Sequence, residues 1–216
     1  MVDCNQKEVA NQSDKVLKNY SEPLKEYKSL LRLKKTVIQT RLNRINAANR
    51  LLSTEKFLQC INIYYSCCSA CIAILGLISA SKALAVVSAI LTVVLAISIV
   101  FLNAQKYGNR SQELKNNYIS LHGLLYEIEL AEARNDVSKL DNFTKRYCKL
   151  LQTSENHSNL DFLRTKNRYE KLTGFEYVRF YGELAIIYGL RIICVLIPVI
   201  VGGWLFCVGA FDNVFC

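Results

Sequence analysis

Residues 61–103 read INIYYSCCSACIAILGLISASKALAVVSAILTVVLAISIVFLN. Lys82 is the only charged residue in this stretch, and indeed the only one from Phe57 to Leu102. An uncharged apolar run of about 18 or more residues can cross a bilayer as a helix, the form that satisfies its own backbone groups in lipid. This run is too long for one span. It divides into Ile61–Ala80 and Leu84–Asn103, joined by a tight turn around Ser81 and Lys82. Each half covers roughly 30 Å at about 1.5 Å per residue. Gly76, Ser79, Ser81 and Lys82 stand where a turn is needed, which favours a hairpin over one long buried helix.

A third charge-free run, Ile192–Phe211, contains Pro198 and the pair Gly202-Gly203. Membrane helices tolerate both, with a kink expected at Pro198. The run predicts a third span, and a segment lying in the membrane plane is the other reading. The chain is 51% hydrophobic and 21% charged. Both figures fit one chain because the two kinds of residue are segregated along it.

The charges also set a topology. Residues 1–58 carry twelve Lys and Arg against six acids, and residues 104–182 carry thirteen against ten. The hairpin tip has only Lys82, and no positive charge follows Phe211. The positive-inside bias then puts the N-terminal arm and the middle segment in the cytoplasm, with the hairpin tip and Cys216 outside. The first apolar run begins too far from Met1 for a signal peptide. The net charge of +9 is mainly this topology signal, with contact to anionic lipid as a second use. Nucleic-acid binding is not expected, because the charges alternate in sign along helices and form no single basic face.

The polar parts read as helices. Residues 1–22 form a polar, loosely ordered segment. Pro23 suits the first turn of a helix, and residues 23–58 form an amphipathic cytosolic helix. Its apolar stripe is Ile38, Leu42, Ile45 and Leu52, flanked by Arg41, Arg44 and Arg50. Such a helix packs on a neighbour or lies on the membrane surface. The transmembrane hairpin occupies 61–103. In the cytosolic helical region 104–182, Leu114, Tyr118, Leu121, Leu125 and Ile128 form a short heptad seam. The second membrane helix is therefore expected to continue to about Ala133, where Asn135-Asp136 breaks it. A further helix buries Leu140, Phe143, Tyr147 and Leu150/Leu151, and a last one runs from about Leu160 to Tyr181. The third span covers 184–211. The fold class is an all-α membrane protein: a transmembrane hairpin, long cytosolic helices and a third C-terminal transmembrane helix.

Catalytic signatures are missing. There is no HExxH, GxSxG, P-loop or GxGxxG, and the chain reads as no enzyme, with no cofactor and no metal. His122 reads as a helix-surface histidine. His157 lies near Glu155 and Asp161, but Asn156, Ser158 and Asn159 look like turn and cap chemistry. Six of the nine cysteines, Cys60, Cys67, Cys68, Cys71, Cys194 and Cys207, lie in or at the spans, where Cys acts as a small hydrophobe. Cys4 and Cys148 are expected to be cytosolic and reduced. Cys68-x-x-Cys71 has a metal or redox spacing, but no second Cys/His pair follows it.

The spans carry a more specific pattern. Ser69, Ala73, Gly76 and Ala80 recur at steps of four, three and four, and so do Ala85, Ala89, Thr92 and Ala96. Each helix thus presents a stripe of small residues, which lets helices approach closely where lipid supplies no hydrophobic drive. One reading is packing within the hairpin. The other is the wall of a pore formed by several copies, with Ser66, Ser88, Thr92, Ser98 and Asn103 offering polar groups to water. A buried ion-carrying site is not expected, since no charge lies mid-span. Arg191 is placed to snorkel at the end of the third span.

Asn46-Ala47-Ala48-Asn49-Arg50-Leu51, just before the first span, resembles the small-residue-then-Arg-Leu signature of the SLATT membrane effectors, the SMODS and SLOG-associating two-transmembrane effectors. Tyr147-x-x-Leu150-Leu151-x-x-x-Glu155-Asn156-His157-Ser158-x-x-Asp161-Phe162 is similar to the C-terminal motif of the fifth subfamily. The resemblance covers roughly residues 25–210. It implies Arg44, Ala47, Arg50, Asn156, His157 and Asp161 as family-motif residues that hold the cytosolic helices together. It also implies a membrane effector of a prokaryotic conflict or anti-phage system, multi-pass in the bacterial inner membrane with its N-terminus in the cytoplasm. Such a protein is expected to oligomerise and open a pore on activation. The implied partners are the lipid bilayer, further copies of the chain, and a nucleotide-second-messenger synthetase, SLOG-type sensor or reverse transcriptase encoded nearby. A third span departs from the two that the family's name states. The competing expectation is a membrane-anchored scaffold that recruits a cytosolic partner.

Overall fold

The computed structural model describes residues 3–153 and 158–212, with side chains from residue 24 to residue 201 outside 154–157. The helices are α1 (Asp3–Ile78), α2 (Lys82–Gln105), α3 (Tyr107–Ala133), α4 (Leu140–Gln152), α5 (Asn159–Tyr169) and α6 (Gly174–Asp212). No strand occurs among the described residues. The C-terminal part of α1, the whole of α2 and the body of α6 are long and apolar enough to cross a membrane. The expected all-α membrane fold, with a hairpin and a third apolar helix, is therefore present. Helix α1 begins upstream of the expected start, so position 23 lies inside it.

The chain forms two compact units, each assembled from segments distant in sequence: residues 1–47 with 113–161, and residues 48–112 with 162–216. The first unit has an apolar core. Leu30 and Val37 of α1 meet Leu121, Leu124, Leu125, Ile128 and Ala131 of α3 and Phe143 and Tyr147 of α4. The α4 face is the expected one, except that Leu151 is exposed. The α3 seam holds at Leu114, Leu121, Leu125 and Ile128, but the position given to Tyr118 is taken by buried Asn117. On α1 the buried line is Leu30, Val37 and Arg44, at steps of seven. Ile38, Leu42 and Ile45 are only half-buried and Leu52 is exposed. The seam was hidden because a core position holds an arginine.

Polar contacts border this core. The Lys34 ammonium bonds Glu132 at 2.7 Å and lies 3.7 Å from Glu129. The hydrogen bond to Glu132 and the two negative charges raise the Lys34 pKa. Arg146 pairs with Glu127 through Nη1 and Nη2. The Thr40 and Tyr147 hydroxyls meet at 2.8 Å. Helix α3 ends at Asn135, whose φ of 52° is left-handed. The Asp136 N–H donates to the Ala131 carbonyl at 2.9 Å and the Asn135 N–H to Glu132 at 3.0 Å, the paired bonds of a Schellman end. This is the break expected at Asn135-Asp136.

In the second unit the same motif turns the hairpin. Ala80 has φ 50°, the Ser81 N–H donates to Gly76 at 3.1 Å, and the Ala80 N–H donates to Leu77 at 3.4 Å. Ser81 then caps α2. The expected unbroken helix from the second span to Ala133 is interrupted once. Lys106, at φ 49° and ψ 39°, ends α2, and α3 begins at the next residue.

The single helix expected from Leu160 to Tyr181 is likewise two. Helix α5 stops at Tyr169 and α6 starts at Gly174. The Thr173 N–H and hydroxyl both donate to Glu176 at 3.0 Å, so the carboxylate reaches back across the first turn of α6 as in a capping box. Lys166 of α5 donates to the same carboxylate at 2.6 and 2.8 Å. These bonds, Lys166 first and Thr173 next, hold the Glu176 carboxyl at about 2.

Candidate functional site

The spans meet through small residues and hydroxyls. On α1, Ser69 and Gly76 are buried and Ala73 is half-buried, whereas Ala80 sits exposed in the turn. Gly76 is needed for the approach: a Cβ there would lie 3.1 Å from Leu84 Cβ and 3.2 Å from the Ala85 nitrogen. One helical turn or more away, Ser69 Oγ lies 3.3 Å from Thr92 Oγ1 and donates to the Ser88 carbonyl at 3.4 Å. The α2 side of this contact is Leu84, Ser88, Leu91 and Leu95, all buried or half-buried. Ala85, Ala89, Thr92 and Ala96 are exposed in the single chain. Shallow apolar grooves lie along that face, one lined by Ala89, Ile90, Val93 and Val94, the other by Ala96, Ile97, Val100, Phe101 and Ala104. Of the two stripes, the α1 stripe packs inside the hairpin, whereas the α2 stripe touches α1 only at its edge, through Thr92 and the Ala85 backbone, and leaves Ala89 and Ala96 exposed.

The third apolar helix is tied to α1 by hydrogen bonds. Pro198 has no N–H, so it leaves the carbonyl four residues earlier, that of Cys194, without its helical donor. The Tyr65 hydroxyl donates to that carbonyl at 2.9 Å. The neighbouring Tyr64 hydroxyl reaches the Val195 carbonyl at 3.4 Å. At the end of the span, the Arg191 guanidinium lies 4.9 Å from the centre of the Phe57 ring and 5.8 Å from that of Tyr188. It also donates to Ser53 Oγ at 3.5 Å. These contacts hold the half-buried Arg191 side chain against α1. None of these tyrosine contacts was read from the sequence, though a proline inside an apolar helix signals a carbonyl in need of a donor.

Of the family-motif residues, Arg44, Ala47 and Asp161 lie in the first unit and Arg50 in the second. Arg44 is 4% exposed. Burial pulls its pKa down. Its Nη2 donates to the Leu151 carbonyl at 3.5 Å, and its Nη1 has no acceptor. Asn117 donates to the Leu150 carbonyl at 2.8 Å and to Thr153 Oγ1 at 3.1 Å. Arg44 and Asn117 therefore both serve the carbonyl end of α4, where the helix dipole is negative. Asp161 is 1% exposed. It accepts from the Ser158 N–H at 3.1 Å and the Ser158 hydroxyl at 2.8 Å, closing the first turn of α5, and its own carbonyl accepts from Asn46 at 3.4 Å. Ala47 is buried, which lets α1 pack closely, and Arg50 is half-buried on the same helix. Asn156 and His157 lie outside the described residues.

The remaining chemistry is sparse. His122 is exposed on α3. Cys60, Cys67 and Cys71 are exposed free thiols, with Cys68 and Cys194 half-covered. Among the described residues no group of three His, Cys, Asp or Glu is arranged to hold a metal ion. Such an arrangement of paired apolar helices, helix-end caps and polar bundle defines a helical membrane protein. The chain belongs to the SMODS and SLOG-associating 2TM effector domain family 5, whose model matches residues 26–204. That range includes most of α6, so the match extends over a third helix able to span. No curated protein and no solved structure matches the chain.

Proposed function

We propose that this chain is the membrane effector of a prokaryotic anti-phage system, and that several copies assemble into a pore that disrupts the inner membrane on activation. The carrying observation is the exposed α2 face of Ala85, Ala89 and Ala96, with Thr92 at its edge. Hairpin packing uses the Ser69 and Gly76 side of α1, meets this face only at the Thr92 hydroxyl and the Ala85 backbone, and leaves the Ala89 and Ala96 side chains exposed. Small residues admit close helix contact in lipid, so the face suits a second copy of the chain. A pore needs such copies, because the polar Ser69 and Thr92 hydroxyls face each other at 3.3 Å within one hairpin.

In this reading the N-terminal arm and the polar helices are cytoplasmic. They receive the signal from a sensor or synthetase encoded nearby and pass it to the spans. Membership in an effector domain family supports the role, and the charge asymmetry supports the orientation.

The test is membrane potential, followed with a voltage-sensitive dye in bacteria expressing the protein with its neighbouring genes during phage infection. Depolarisation is expected with the native chain and absent with Ala89→Leu, a variant that still inserts. Arrested growth at normal potential, with equal activity of Ala89→Leu, would replace the pore by the scaffold reading.

A further inference from the structure

The break at Lys106 opens a cavity of about 480 Å³ in the second unit, between α1, α2 and the start of α3. A left-handed lysine costs about 1–2 kcal/mol, and strain of this kind tends to sit where a site is built. The cavity has a mixed lining. Ile63, Ile99 and Leu102 supply apolar surface toward the spans, with Asn62 and Asn103 beside them, and Glu55, Lys106 and Asn109 line its charged and polar end. Its walls therefore cross the level at which the charge-free run of residues 57–102 ends. That level is the boundary between hydrocarbon and headgroups in any membrane these helices cross.

The charges in the cavity are of opposite sign, and neither forms an ion pair with a described residue. Glu55 takes only a 3.5 Å hydrogen bond from Gln59. Its carboxylate rests on Gly108, where a Cβ would come within 2.6 Å of Oε1. In this rotamer the Glu55 carboxylate occupies the space that a Cβ at position 108 would take. The opening of α3 contributes N–H groups that no preceding turn can satisfy, a favourable setting for a phosphate, and the Lys106 side chain lines the same cavity.

We infer that this cavity binds the headgroup of a phosphatidylethanolamine, with its acyl chains along Ile63 and Ile99. The recognised chemistry is an ammonium–phosphate zwitterion. The primary ammonium donates hydrogen bonds to Glu55, and the phosphate meets Lys106, the Asn109 amide and the α3 N-terminus. A choline headgroup has no N–H to offer Glu55. A glycerol headgroup leaves Glu55 without a cation beside a second negative charge. The inference stands apart from pore formation and holds equally for a scaffold.

The full-length chain, delipidated in detergent, is offered phosphatidylethanolamine, phosphatidylcholine or phosphatidylglycerol with identical acyl chains, and retained lipid is counted by native mass spectrometry. Retention of phosphatidylethanolamine is expected to exceed that of phosphatidylcholine about tenfold, the worth of one charge-assisted hydrogen bond. Glu55→Gln is expected to erase the preference, and Gly108→Ala to weaken it by displacing the carboxylate. Circular dichroism checks that each variant is folded, and Gly108→Ala decides if Glu55→Gln is not. Equal retention of the three lipids, or an unchanged preference in the folded variants, would overturn the assignment. So would soluble glycerophosphoethanolamine displacing the lipid at equal concentration, because recognition would then owe nothing to the membrane.

Discussion

The two units of this protein hold their helices together by different physics. In the unit of residues 1–47 and 113–161, large apolar side chains vanish from water: Leu30, Val37, Leu121, Leu124 and Ile128 are all fully buried. Charged pairs such as Lys34–Glu132 border that core. In the unit of residues 48–112 and 162–216, the spans expose their large side chains, among them Leu77, Ile97 and Val100. They bury Ser69, Gly76 and Ser88. Water expels apolar surface and so organises the first unit. Lipid does not, so the second unit relies on close backbone approach and on hydrogen bonds to carbonyls. Truncating a buried apolar side chain should therefore matter most in the first unit, and deleting a hydrogen bond to a carbonyl in the second.

The largest effect is expected in the water-driven core. Leu121→Ala removes a fully buried side chain between α1 and α4 and should cost about 2–5 kcal/mol, read as a lower denaturation midpoint of the polar helices by circular dichroism. A loss below about 1 kcal/mol would mean that α3 is not held by this core.

Next comes a polar deletion in the spans. Tyr65→Phe keeps the ring but leaves the Cys194 carbonyl without a donor opposite Pro198, at a cost of about 1–3 kcal/mol. The double variant with Pro198→Ala restores the helical N–H and should recover most of the loss. Steric trapping or unfolding in detergent would measure both, and a null effect of Tyr65→Phe would break the contrast drawn between the units.

The smallest effect is a titration. Glu176 is held at about 2, below the ordinary carboxylate value near 4.5. A depressed carboxyl stabilises the folded joint above the unfolded pKa and loses that contribution as pH falls toward 2. The Thr173 amide resonance should thus titrate near 2, and Lys166→Gln should move the midpoint up. A wild-type midpoint near 4.5 would show that the α5–α6 joint is open in solution.

How much was legible in advance depended on whether a pattern was local. The hairpin, the third apolar helix, the α4 face and the Asn135 break each follow from a run of neighbouring residues. The α1 seam did not, because Arg44 occupies a buried position that hydropathy assigns to the surface. The α5–α6 break was carried by Thr173-x-x-Glu176, a start signal that an otherwise continuous helical pattern concealed. Asn117 was passed over for Tyr118, one residue away, since an asparagine is the less apolar of the two. Its burial makes sense only with the Leu150 carbonyl in place to accept from it.

Sequence alone, then, determined the class of molecule: charge segregation requires helices that cross lipid, and the order of motifs points to a 2TM effector family that the match over residues 26–204 confirms. Tertiary structure decided which small-residue stripe is used inside the hairpin, which tyrosine serves the carbonyl opposite Pro198, and where Glu55 and Lys106 share a cavity. The physical reason is range. Hydropathy is a property of each residue and its close neighbours, whereas a donor for Cys194 or a partner face for Gly76 comes from a different helix, and only folding brings the two within a few ångströms.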